Sequence, residues 1–230
     1  MDSTTEKTSR VKLSDRLVNF LQNNRKPLLI GVIVIVVGLI GTGIALTILE
    51  NERNKAIVAV ETLVLRYDEI RSEADPAKKD ADELALIKDL EAFSSTHDSY
   101  AGARSLSVLA SIRADRNEDS EAEAAYLAAA KMVGKSYLAP VSIYNAAVSA
   151  EDRGDADKAL ELYNRVIDEY GQSFPLLSRA YFALGRLQEA NGELAAATAS
   201  YKKLVELYPN DGWTKLANSR ILSLNAQGAR

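Results

Sequence analysis

One histidine, no cysteine and a scatter of carboxylates are the reactive side chains of this 230-residue chain. Without a thiol there is no disulfide, no thiolate zinc site and no cysteine nucleophile. With His97 as the sole imidazole, Ser-His catalysis and most transition-metal sites lack their parts. His97 lies in the polar connector STHDSY, where a surface or capping role accounts for it. Glu121/Glu123, Asp155/Asp157 and Glu161 follow solvated helix faces, and such faces need no acid–base explanation. No P-loop pattern and no Gly-x-Gly-x-x-Gly after a strand occurs. GLIGTG at 38–43 sits inside an apolar run, where it cannot cradle a phosphate. Arg153-Gly154-Asp155 spells an adhesion tripeptide, but three letters recur by chance. The inventory predicts no enzyme, no metal and no cofactor.

What remains is contact chemistry, so the elements that would present contacts matter most. Residues 28–49, LLIGVIVIVVGLIGTGIALTIL, hold no charge over 22 positions, and about 20 suffice to cross a bilayer core. The run exceeds the roughly 7–15 residues of a signal-peptide core and follows a long polar tail, which favours an uncleaved anchor. Lys7, Arg10, Lys12, Arg16, Arg25 and Lys26 face only Asp2, Glu6 and Asp15 in residues 1–49. That balance of +3 leaves −7 for residues 50–230 within the total of −4. The positive-inside rule puts the tail in the cytoplasm and the acidic body across the membrane. An acidic body is also a poor partner for nucleic acid. Leu13, Leu17, Phe20 and Leu21 share one helical face beside Lys12 and Arg16, as in a short helix lying on the inner leaflet; a disordered tail is the alternative.

Within the apolar run, Gly38, Gly41, Thr42 and Ala45 fall on one face. Small residues let a second membrane helix approach closely, although glycine is common in such helices in any case. Beyond it, Ala56, Val60, Leu63, Tyr67 and Ile70 form one apolar stripe, the mark of a stalk helix ending at Asp75-Pro76. A second helix is expected from about Asp82 to Ser95, with Leu84, Ile87, Leu90 and Phe93 inward.

Repetition then takes over. Windows 103–136, 140–173 and 178–211 superpose, each opening with an apolar-then-small pair: Leu109-Ala110, Ala146-Ala147, Leu184-Gly185. Each passes a polar turn at Asn117-Glu118, Gly154-Asp155 or Gly192-Glu193. Alanine follows at 122, 159 and 197, and tyrosine at 126, 163 and 201. Small residues belong where two antiparallel helices cross, with the tyrosine filling the gap towards the neighbouring pair. Such pairs bury their apolar faces only by stacking. The Gly154 turn thereby acquires a structural meaning: glycine ends one helix and Asp155 caps the next.

These positions resemble the tetratricopeptide repeat, a unit of roughly 34 residues. The third window matches best, at Tyr181, Leu184, Gly185, Gly192, Ala197, Tyr201 and Pro209. The second has Gly171 in place of the final proline and about four extra residues; the first lacks both glycine turn and proline. DGWTKLANSRILSLN reads as a capping helix with Trp213, Leu216 and Ala217 inward. The resemblance implies an all-α fold: one N-terminal transmembrane helix followed by a helical solenoid. The divisions are a basic tail at 1–26, an anchor at 27–49, a stalk at 50–75 and the repeat domain at 76–230.

It also implies a concave groove for protein partners, at Arg104, Ser107 and Ser111; Tyr144, Asn145 and Val148; and Arg179, Phe182, Arg186 and Glu189. Ser107, Ser111 and Ala183 depart from the carboxylate-clamp pattern, so an open groove for a helix or an extended segment is the better expectation. The whole layout resembles the bacterial ancillary subunit of the Sec translocon, with LEAFSSTHDSYAGARSLSVLA following that family's short helix, Tyr-Gly connector and small-residue helix except that Ala101 separates Tyr100 from Gly102. That implies an inner-membrane protein with periplasmic repeats, meeting translocon subunits, periplasmic chaperones or secreted clients. A scaffold for envelope machinery, such as outer-membrane assembly or cell division, is the competing expectation.

Overall fold

Cap chemistry punctuates the chain. Asp75 accepts hydrogen bonds from the N–H groups of Ala77 (3.0 Å) and Lys78 (3.4 Å). Pro76 takes the first helical turn behind it, where its missing N–H costs nothing. The computed structural model describes residues 15–228, and these are helical almost throughout. The elements are α1 (15–23), α2 (Arg25–Arg71), α3 (Pro76–Thr96), α4 (Tyr100–Asp115) and α5 (Asp119–Met132). They continue as α6 (Leu138–Asp152), α7 (Ala156–Tyr170), a 3-10 turn (Gly171–Ser173), α8 (Leu177–Ala190), α9 (Leu194–Leu207) and α10 (Gly212–Gly228).

Residues up to Asn54 form one compact unit and those from Lys55 another. In the first, Leu17, Phe20 and Leu21 are exposed on α1. Leu13 and Lys12 of the expected face lie outside the described residues. The apolar side chains of 28–49 are also exposed, on a helix long and apolar enough to cross a membrane. Pro27 stands in the first turn of α2, two residues inside its start.

The second unit is a solenoid in which each helix from α3 to α10 packs on its successor. Three of its turns share one geometry. Asn117, Gly154 and Gly192 have φ of 59°, 85° and 80°. The following N–H groups of Glu118, Asp155 and Glu193 reach back to the carbonyls of Arg113, Ala150 and Gln188 at 2.8–2.9 Å. This is the Schellman arrangement, which satisfies the last carbonyls of a helix through a left-handed residue. Asn117 shows why the first window does without glycine, since asparagine tolerates that conformation. Asp155 then caps α7 by accepting from the N–H of Lys158 at 3.1 Å.

Packing follows the small-residue pattern. Ala122, Ala159 and Ala197 are fully buried, as are Tyr163 and Tyr201, and Tyr126 nearly so. The tyrosines differ from expectation in direction, since their hydroxyls close on the leading helix of their own pair. Tyr126 meets Ser111 (2.9 Å), Tyr163 donates to Glu151 (3.4 Å) and Tyr201 to Glu189 (3.2 Å). The last residues of the second window, Gly171–Ser173, form the 3-10 turn, and Phe174 just beyond it enters the core against Tyr144.

Three further expectations need correction. The helix placed at Asp82–Ser95 begins at Pro76, because Asp75 caps it there. Its buried side chains are Glu83, Leu86, Ile87 and Leu90, while Leu84 is exposed. Leu86 and Leu90 are fully buried on that face, and Glu83 beside them pairs with Arg116 at 3.1 Å. In α10, Ala217 and Leu224 are buried and Trp213 half-buried, but Leu216 points outward. Finally, the stripe assigned to a stalk is not left to solvent. Ala56, Val60, Tyr67 and Ile70 are buried, and Lys55–Arg71 belongs to the compact repeat unit.

Candidate functional site

A leading helix carries two faces, one against its own partner helix and one towards the inner side of the stack. The inner row is visible in the contacts: α4 touches α6, and α8 touches α10, each skipping the helix between them. Two clefts open along this row.

The first has a volume of about 210 Å³ and lies between α2, α4 and α6. Arg104, Ser107 and Ser111 come from α4, and Val141, Ser142 and Asn145 from α6. Val64, Tyr67 and Asp68 of α2 supply a further wall. Arg104 is met by Glu61 at 3.7 Å. Ser107 and Ser142 sit 3.3 Å apart, and Ser111 bonds Tyr126. Tyr67 donates to Asp115 at 2.7 Å, and burial together with that bond raises its phenol above the usual range. Among the described residues the Asn145 amide makes no hydrogen bond, and it faces this cleft.

The second cleft has a volume of about 490 Å³ and lies between α8, α9 and α10. Phe182, Arg186, Glu189 and Ala190 come from α8, Tyr201 from α9 and Arg220 from α10. Arg186 pairs with Glu151 at 2.5 Å. Glu189 accepts from Arg220 Nε at 3.0 Å and from Tyr201 Oη at 3.2 Å. Tyr201 is pushed up to about 12, first by burial and then by the charge of Glu189. Phe182 lies 5.0 Å from the ring of Trp213 and 5.5 Å from that of Tyr201. The guanidinium of Arg179 sits over Trp213 at 5.9 Å.

The expected groove residues therefore divide. Arg104 and Asn145 line the first cleft, and Phe182, Arg186 and Glu189 the second. Tyr144 and Val148 are half-buried against the core, Tyr144 edge-on to Tyr163 at 5.5 Å. Arg179 stands on the exposed rim beside Trp213. Sequence reasoning missed Val64, Tyr67 and Asp68, which carried no repeat signature. It also missed Arg220, although Trp213, Ala217, Arg220 and Leu224 share the spacing of one helical face. In the other unit, Gly38 and Gly41 have open space around them, and the Thr42 hydroxyl folds back onto the Gly38 carbonyl at 2.8 Å. His97 ends α3, its ring stacked on Phe93 at 4.0 Å.

Comparison with known proteins agrees with the repeat fold. Residues 144–212 match the tetratricopeptide repeat family. A TPR repeat-containing protein of Treponema pallidum (strain Nichols) is 34% identical over 231 residues, spanning 94% of this chain and 95% of its own. A span of that extent takes in the apolar segment at 28–49 as well as the repeats. Among solved structures, the nearly identical TPR-like repeats of a kinesin-light-chain-type protein from Podosopora anserina share the fold. Their TM-score is 0.55 at 14% identity, covering 74% of this chain and 89% of that one. A tetratricopeptide repeat protein from Parabacteroides merdae superposes with a TM-score of 0.52 at 18% identity, over 71% of this chain and 61% of its own. The repeated turns, the buried alanine and tyrosine positions and the full-length relative all converge, and the chain belongs to the tetratricopeptide repeat-containing proteins.

Proposed function

We propose that this protein is an inner-membrane adaptor that holds a segment of a protein partner in its groove, linking the Sec translocon to periplasmic chaperones. Tetratricopeptide repeats serve protein–protein interaction, and the observation that carries the reading is the inner row of leading helices. It offers two clefts, one with an open amide at Asn145 and one floored by aromatic rings. Residues 27–49 act as the anchor, and the excess of basic residues before them favours a cytoplasmic N-terminus. The repeat domain then lies in the periplasm, where emerging chains and chaperones are both within reach.

The test is photo-crosslinking in native membranes, with a photoreactive residue at Asn145 on the inner row or at Lys202 on the exposed side of α9. Translocon subunits, chaperones or secreted clients should be captured from Asn145 and not from Lys202. Capture from Lys202 alone would remove the groove from the account. Capture only of outer-membrane assembly or division proteins would establish the scaffold role instead. A reporter fused after Arg230 that is active solely in the cytoplasm would overturn the orientation.

A further inference from the structure

We propose that α1 is a lipid-docking helix, seated by its apolar face in an anionic headgroup layer beside the membrane anchor. The inference rests on the anchor reading of residues 27–49 and adds what holds the N-terminal end of that anchor. Leu17, Val18, Phe20 and Leu21 of α1 are between 48% and 62% exposed. At about 100° per residue these four positions cover less than half of the helix circumference. Asp15, Asn19, Gln22 and Asn23 take the other side, and Arg16 stands at the border.

Asn24 and Pro27 set where α1 ends. Asn24 is a turn residue whose N–H and side-chain amide both donate to the Phe20 carbonyl at 2.9 Å. Pro27 has no N–H to give to the carbonyl of Asn23, and proline is where helices break or bend. A straight continuation would strand the apolar face in water. Leu21 and Leu17 would stand roughly 10 and 16 Å beyond Leu28, the first residue of the apolar run, at about 1.5 Å per residue. The headgroup layer is only about 5–8 Å deep. Bending at this joint lays the same side chains along the boundary between headgroups and acyl chains, where apolar surface leaves water. Residues 22–27 alone separate the face from the apolar run, so lipid is within reach wherever the anchor is inserted. Charge then selects the lipid. Residues 15–26 hold Arg16, Arg25 and Lys26 against Asp15, and basic side chains beside an anionic leaflet are drawn to it.

The chain has no cysteine, so a single one introduced by Val18→Cys or Asn19→Cys takes one environment-sensitive fluorophore. The full chain is reconstituted in vesicles of phosphatidylcholine, alone or mixed with phosphatidylglycerol, that carry a nitroxide-labelled lipid quenching near the headgroups. In the anionic vesicles the label at position 18 should be quenched and its emission shifted to the blue, while the label at position 19 stays in water. Both effects should be lost in phosphatidylcholine alone and weakened by high salt, which screens the attraction. Leu17→Ser with Leu21→Ser should release the label at position 18 in the anionic vesicles. The repeat unit should melt unchanged, since neither residue belongs to it.

A label at position 18 that is no more quenched than one at position 19 overturns the docking. Equal quenching in neutral and anionic vesicles overturns the selection by charge. A label shielded in native membranes yet unquenched in vesicles that hold no other protein gives the face to a protein partner and removes lipid from the account. Washing the vesicles at alkaline pH separates this inference from the anchor reading. Protein that stays with the vesicles while position 18 remains in water keeps the anchor and loses the docking helix. Protein stripped from the vesicles by alkali takes both readings down.

Discussion

Gly185 offers the sharpest test of the helix register in the last repeat. A Cβ built there would sit 2.7 Å from Cε1, 2.8 Å from Cδ1 and 3.0 Å from Cζ of Tyr201. Carbon atoms prefer about 3.5–4.0 Å, so the ring must retreat by most of an ångström. It has little room to do so, being fully buried, tied through its hydroxyl to Glu189 and packed against Phe182. Overpacking of a tight core costs about 1–3 kcal/mol. Alanine recovers about 1 kcal/mol of helix propensity relative to glycine, leaving a net loss of about 1 kcal/mol for Gly185→Ala. In a domain of this size that lowers the melting midpoint by about 2–4 °C. Thermal unfolding of the full chain in micelles, followed through Trp213, measures it beside the perturbed site. In a Tyr201→Leu background the clash disappears, so the same alanine should become neutral or stabilising, a coupling of about 1–2 kcal/mol. A single mutant that melts at or above the wild-type temperature, or a cost unchanged without the ring, would show that Gly185 does not face Tyr201.

Ala197→Leu should destabilise the same module by about 1–3 kcal/mol, since Ala197 has no exposed surface and no room for two more carbons; an unshifted midpoint would contradict the crossing. The Asp155 carboxyl is held below the usual range, first by the Lys158 N–H and then by Arg153. Its folded pKa lies below the unfolded one, so its contribution is present above the ordinary carboxylate range and disappears as pH falls through the depressed value. The stability gap between wild type and Asp155→Ala should therefore narrow on acidification below about pH 4, and a widening gap would refute the cap. If the anchor docks on the translocon through its small-residue face, Gly38→Ile with Gly41→Ile should leave insertion intact yet reduce co-purification. Val34→Leu with Val37→Leu should not, and equal recovery with both variants would leave the helix as a tether.

How far the sequence could be read depended on which contacts are local. The turns at Asn117, Gly154 and Gly192 were legible because a left-handed residue followed by an acid advertises itself within two positions. The alanines at 122, 159 and 197 were legible because repetition shows the same packing three times. Directions between helices were not. The tyrosines were expected to reach towards the next pair, yet Ser111, Glu151 and Glu189 draw their hydroxyls back within their own pair. Leu84 and Leu216 obey the helical period as well as their buried neighbours do. A period fixes which residues share a face, and only the partner decides which face turns inward.

The same limit explains the inner wall formed by α2. Read alone, Ala56, Val60, Leu63, Tyr67 and Ile70 describe an apolar stripe with no statement of what covers it, and proximity to the membrane run invites the word stalk. The structure gives the stripe a partner. Arg66 pairs with Asp89 of α3 at 2.6 Å, Glu61 with Arg104 of α4, and Tyr67 reaches Asp115 at the end of α4. Residues from Lys55 to Arg71 thus lie against α3 and α4 ahead of the first recognisable repeat, with Val64, Tyr67 and Asp68 sharing a cleft with residues of α4 and α6. The repeat signature is missing here: Ala56 and Val60 cluster with Ala101 of α4 at one end, and farther along Arg66, Glu61 and Tyr67 bridge to α3 and α4 with long side chains. A row of leading helices read from signatures alone therefore starts one helix too late, and Val64 and Asp68 are the positions on the wall of the first cleft that it leaves out.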